Sequence, residues 1–139
     1  DAGRHTDSDK AYDKALALEP NNSSTLNNYA YYLSVRNTQL EKAERMSARS
    51  LDLEPASATY MDTYAWVLFR LGRFADAKSW IEKAVAGGQA DGVVVEHHGD
   101  ILYELGDKAG ALVQWRKAKE LGGGSDLLDR KINEGVRVE

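Results

Sequence analysis

The chain has 139 residues, with 22 acidic and 18 basic side chains and a formal net charge of −4. A modest acidic surplus keeps a protein soluble and argues against nucleic acid or an anionic membrane surface as the main partner. There is no cysteine, which excludes disulfides, a thiolate nucleophile and a zinc ribbon, and no apolar run approaches the ~20 residues that span a bilayer as a helix.

At 42% hydrophobic residues and two prolines, the composition is that of an all-helical protein. The first predicted helix covers roughly residues 8–18 and carries Tyr12 and Ala15. Asn21, Asn22, Ser23 and Ser24 then offer N-cap oxygens for a helix bearing Leu26, Tyr29, Ala30 and Leu33. After the turn Arg36-Asn37-Thr38-Gln39, the next helix spans about Leu40 to Leu53. Met61, Tyr64, Ala65 and Leu68 follow at the i, i+3, i+4, i+7 spacing of one helical face. Gly72 fits the left-handed residue that ends a helix, and Ala77, Ile81, Ala84 and Val85 form the face of the following one, stopped by Gly87-Gly88. A further pair carries Val95, Gly99 and Leu102, then Gly106, then Ala111, Trp115 and Ala118, and stops at Gly122-Gly123-Gly124. Ser125 or Asp126 caps a last helix to about Glu134. There Leu128 and Ile132 face inward, Asp129, Arg130, Lys131 and Glu134 face water, and residues 136–139 form a frayed tail.

The chain repeats itself. Shifted by 34 residues, Leu68, Leu71, Gly72, Ala75, Ala77, Lys83 and Ala84 fall on Leu102, Leu105, Gly106, Ala109, Ala111, Lys117 and Ala118. At a shift of 35, Leu16, Leu18, Glu19 and Pro20 fall on Leu51, Leu53, Glu54 and Pro55. A fixed period of this size in a helix-turn-helix unit marks a repeat array. Small residues recur where paired helices would cross: Ala30, Ala65 and Gly99 in the first helices, Ala43, Ala77 and Ala111 in the second.

These residues resemble the tetratricopeptide repeat (TPR) family. The resemblance rests on Met61, Tyr64-Ala65, Leu68, Gly72, Ala77, Ile81 and Ala84 in one unit, and on Val95, His98-Gly99, Leu102, Gly106, Ala111, Trp115 and Ala118 in the next. It implies an all-α, right-handed superhelix of antiparallel helix pairs closed by a capping helix. The implied units are residues 1–22 (the second helix of a truncated repeat, with Gly3 in its preceding turn), 23–57, 58–91, 92–125 and a cap over 126–139. Starting in mid-repeat, the chain reads as the C-terminal piece of a longer protein, with Tyr12 and Ala15 exposed on a face that favours a homodimer. Ser47 and Ser50 stand where the family has an aromatic residue and Ala, so the 23–57 unit is expected to be the loosest.

The family's first helices line a concave groove. The positions this implies are Ser24, Asn27, Tyr31, Ser34 and Val35; Thr59, Asp62, Trp66, Phe69 and Arg70; and Val93, Glu96, Asp100, Tyr103 and Glu104. Aromatic anchors among polar residues suit a peptide or helix. The carboxylates make a basic or mixed-charge partner the better fit and disfavour the C-terminal carboxylate of a chaperone, which one TPR subfamily grips. Asn27, Tyr31, Asp62, Trp66, Phe69, Arg70, Glu96, Asp100 and Tyr103 are the candidate contacts. Phe69 and Tyr103 carry the alternative of packing on a neighbouring repeat.

Catalytic signals are weak. The chain has no phosphate-binding Gly-rich loop ending in Lys-Ser/Thr and no Gly-x-Ser-x-Gly. Glu96-His97-His98-x-Asp100 has ligand-type residues, but adjacent histidines on a helix point about 100° apart. His98 is expected to pack, hydrogen-bonded, in the core. No catalysis, cofactor or metal is expected. The alternative to a binding scaffold is a structural module packing on itself or on further chain. The glycine-rich repeat ends and Leu127–Gly135 look similar to bacterial TPR proteins of Gram-negative envelopes, which implies the periplasmic side, with the cytoplasm as the alternative.

Overall fold

The computed structural model describes residues 2–88 and 90–138. Its described residues form eight helices: α1 (Ala2–Leu18), α2 (Ser23–Val35), α3 (Leu40–Leu53), α4 (Ala58–Arg70), α5 (Phe74–Ala86), α6 (Gly92–Glu104), α7 (Lys108–Leu121) and α8 (Leu128–Glu134). Helices α2 and α3, α4 and α5, and α6 and α7 pack as hairpins. Each hairpin stacks on the next through α3 against α4 and α5 against α6, while α2, α4 and α6 lie side by side.

Local chemistry sets the ends of these helices. Asn22, Ser57 and Asp91 cap α2, α4 and α6, each side-chain oxygen accepting an N–H two or three residues inside the helix. Gly72 and Gly106 have φ of +81° and +91°, the left-handed geometry that turns α4 into α5 and α6 into α7. The α2–α3 turn lacks a glycine, and there Asn37 and Gln39 both take positive φ. An L-residue adopts that region at a cost, which asparagine bears better than most.

The core follows the small residues. Ala30, Ala43, Ala65, Ala77 and Ala111 are fully buried. A Cβ added to Gly99 would lie 2.5 Å from Trp115 Cδ1, so this crossing has no room for even a methyl group. In the α2–α3 hairpin, Ser47 and Ser50 are buried; Ser50 Oγ donates to the Ser47 carbonyl at 2.7 Å, while Ser47 Oγ has no partner among the described residues.

Three expectations need correction. Helix α1 begins at Ala2, so Gly3 lies inside a helix and not in a turn. Contacts with α2 hold this extension: His5 hydrogen-bonds the Tyr32 hydroxyl, and Asp9 pairs with Arg36 at 2.9 Å. Lys131 is buried and not wet. The tail is tied down, because Arg137 Nε donates to Glu104 at 2.8 Å and its guanidinium lies 5.1 Å from the Phe69 ring centre; Glu139 lies outside the described residues.

Gly99→Ala and Ala77→Leu are each expected to overpack a helix crossing and cost about 1–3 kcal/mol. Thermal or urea unfolding checks this, with Val113→Ala on the exposed outer face as a neutral control.

Candidate functional site

The inner face is built from α2, α4 and α6, with α8 and the tail along one side. At its centre the Trp66 ring is stacked on two neighbouring rings. It stacks on Phe69 at 4.6 Å and on His97 at 4.0 Å, and the Arg70 guanidinium lies 5.7 Å from its centre. Arg70 Nε also donates to the Ser34 carbonyl at 3.0 Å, which ties the end of α4 to the end of α2.

The carboxylates of this face have partners within the chain. Asp62 Oδ1 meets His97 Nδ1 at 2.8 Å. Glu96 accepts from the Ser125 N–H at 2.7 Å, the Ser125 hydroxyl at 2.6 Å and Lys131 Nζ at 2.6 Å. Asp100 accepts from Trp115 Nε1 at 3.1 Å and from Lys131 at 2.9 Å. Glu104 takes Arg137. Ser125 therefore serves Glu96 as well as the turn into α8, and α8 starts later than its expected cap.

Protonation follows from this geometry. Burial alone would lower the His97 pKa, but the Asp62 charge and hydrogen bond, with Asp100 and Glu96 further off, outweigh it and hold the value above 6.5. Burial would raise the Glu96 pKa, yet Lys131 and Ser125 bring it below the usual carboxylate value. Asp100 is raised by its burial against the opposing pull of Lys131. Burial lowers His98.

The predicted contacts fall into two groups. Tyr31, Arg70 and Tyr103 are half-buried. Asn27, Asp62, Phe69, Glu96 and Asp100 are buried, and Trp66 is only 8% exposed. The reading of Trp66 as an open anchor is corrected: the side chain is buried and stacked on Phe69 and His97. Tyr103 turns towards Trp115 of its own hairpin, ring centres 6.0 Å apart. His98, expected to be hydrogen-bonded in the core, is half-buried beside the Gln114 side chain. Sequence reasoning weighed His97 only as a metal-ligand type and gave Ser125, Lys131 and Arg137 no part in the groove; the signal for Lys131 was its place one helical turn after Leu128.

Two hollows remain on this face. One, about 310 Å³, lies among Tyr31, Trp66, His97, Lys131, Arg137 and Val138. The other, about 360 Å³, lies between the N-terminal halves of α2, α4 and α6, among Asn27, Tyr31, Thr59, Asp62, Asp91 and Val93. Among the described residues no group of three or more His, Cys, Asp or Glu side chains is placed to hold a metal ion, and no helix is long and apolar enough to cross a membrane.

Stacked helical hairpins with a concave inner face define an α-helical solenoid. Residues 11–45 match the tetratricopeptide repeat family. A TPR repeat-containing protein of Pseudomonas aeruginosa is 30% identical over 70 residues, which make up 50% of this chain and 12% of that relative. Among solved structures, YrrB, described as a TPR protein with an unusual peptide-binding site, superposes with a TM-score of 0.71 at 25% identity, covering 90% of this chain and 64% of that one. A tetratricopeptide repeat protein from Parabacteroides merdae gives 0.78 at 18% identity, covering 91% of this chain and 49% of that one. The first TPR of Spaghetti, solved bound to an HSP90 peptide, gives 0.71 at 18%, covering 81% and 89%. The chain thus has the all-α helical-repeat fold of the tetratricopeptide repeat proteins and is similar to that family over residues 11–45.

Lys131→Ala leaves two buried carboxylates without their cation and is expected to cost about 3–5 kcal/mol. Adding Glu96→Gln and Asp100→Asn should recover much of that loss in denaturant melts. For His97, a folded pKa above the unfolded one means that the folded protein holds the proton more tightly. That stability is complete below the ordinary value of 6.5 and is lost as pH rises through the folded value. The melting-temperature advantage over His97→Gln should therefore shrink as pH rises above 6.5.

Proposed function

We propose that the protein is a non-catalytic interaction scaffold whose concave groove binds a peptide or helix of basic or mixed charge. The observation that carries this is the unfilled stretch of the groove beside half-buried Tyr31, walled by the N-terminal halves of three parallel helices. A half-buried ring in a hollow with carboxylates at its wall suits an extended polypeptide. Trp66 supports the groove from beneath and does not anchor the ligand. The peptide-bound Spaghetti domain and the peptide-binding site named for YrrB lend support by analogy of fold.

A second reading has its own observation. On α1, Ser8, Ala11, Tyr12 and Ala15 with Thr25 of α2 form a shallow hollow, and Leu18 is 76% exposed. A second copy or further chain packing there is the structural alternative. A concentration series by light scattering separates the two readings, since assembly tracks the protein itself and binding needs an added peptide.

The test is selection of short random peptides on the intact protein, followed by affinity measurement on Tyr31→Ala and on the outer-face control Val113→Ala. Tyr31→Ala should weaken binding by about tenfold, as loss of an aromatic contact does, and added salt should weaken it further. Equal affinity for both variants, or no enriched peptide, overturns the groove reading.

A further inference from the structure

We infer that the open section of the groove is a pocket for a cationic side chain, a lysine or arginine of the bound peptide, received by Asn27, Asp62 and Asp91. The inference rests on the groove reading above and names the chemistry of its occupant.

The first observation is an acceptor without a donor. Asn27 is 5% exposed and lines the 360 Å³ hollow. Its Nδ2 reaches Asn28 at 3.4 Å, but its Oδ1 has no hydrogen-bond partner among the described residues. A buried carbonyl oxygen left this way is costly until a donor arrives.

The second is charge. The lining includes Asp62 and Asp91 and no lysine, arginine or histidine. Asp91 is exposed, and the bond to its Oδ1 from the Val94 N–H leaves its carboxylate charge in place. Asp62 faces His97, so even with His97 protonated that pair cancels and Asp91 remains. Burial first, then the charges of Asp62, Glu96 and Asp91, raise the Tyr31 hydroxyl pKa against the opposing pull of Arg70. At each of the three helix N-termini beside the hollow, one N–H is already taken by a cap, Asn22 on α2, Ser57 on α4 and Asp91 on α6.

The third is the molecule's own usage. Further along the same face, Glu96 and Asp100 share Lys131, and Glu104 takes Arg137. Each is a cation from the C-terminal segment laid against carboxylates of α6. The section around Asn27 and Asp91 presents the same kind of acceptor wall without a cation in its lining. Val93, Val94 and the Tyr31 ring supply apolar surface for the methylene stem of a long basic side chain.

The test uses peptides selected on the intact protein, resynthesised and titrated by fluorescence polarisation. The expected result is a lysine or arginine at one fixed position, and about tenfold weaker binding when it becomes norleucine or citrulline. Asp91→Asn, which keeps the cap on α6, and Asn27→Leu should each weaken the cationic peptide and leave the neutral one unchanged. Circular dichroism melts confirm that both variants are folded. Enriched peptides that depend on Tyr31 but lack a fixed cation overturn this inference and leave the groove reading standing. The same holds if Asp91→Asn weakens the cationic and neutral peptides alike. Failure to enrich any Tyr31-dependent peptide removes both.

Discussion

Lys131 carries its ammonium into a site where it is 4% exposed, between Glu96 at 2.6 Å and Asp100 at 2.9 Å. Taking three charges out of water is expensive, and only close, well-satisfied geometry offsets it. The remaining contacts complete that geometry: Ser125 gives Glu96 two further hydrogen bonds, and Trp115 gives Asp100 one. Through these bonds the short helix α8, the loop before it and the second helix of the last hairpin all converge on α6. The position of α8, and with it the lower edge of the groove, depends on this one cation.

The inner face divides into two chemically different parts as a result. Below, the C-terminal segment supplies cations, and Arg137 comes over Phe69 at the end of a stack running through Trp66 to His97. Above, no lysine or arginine of the described residues lines the hollow, and Asn27 and Asp91 stand beside it. An array of similar hairpins thus presents unequal binding surface along its length, because the C-terminal segment meets one end of the groove.

Much of the fold was legible because it rests on local rules. Gly72 and Gly106 mark turns that need positive φ, and Ala65, Ala77, Gly99 and Ala111 mark close crossings; each is a property of one residue and its neighbours. The groove was legible as a set of positions but not as an environment. His97 faces Asp62 across 35 residues of sequence, and Lys131 reaches Glu96 over the same separation. Periodicity says which way a side chain points, not what waits there. Lys131 sits on a helix of seven residues, too short for its pattern to separate a wet face from a buried one. The early start of α1 was hidden for a related reason. Gly3 satisfied the repeat's turn position, yet contacts of His5 and Asp9 with α2 held the helix through it.

The corner between α2 and α3 holds one residue more than its counterparts and resolves it with left-handed Asn37 and Gln39. None of that surplus reaches the helices: Ala30 and Ala43 still close on each other fully buried, as Ala65 and Ala77 do. The corner works as an expansion joint. It takes up a change in length without rotating the rungs that follow, since each hairpin is registered by its neighbours and not by a running count along the chain. Ladders of this kind can accordingly drift in spacing at their outer bends while the inner face keeps its alignment.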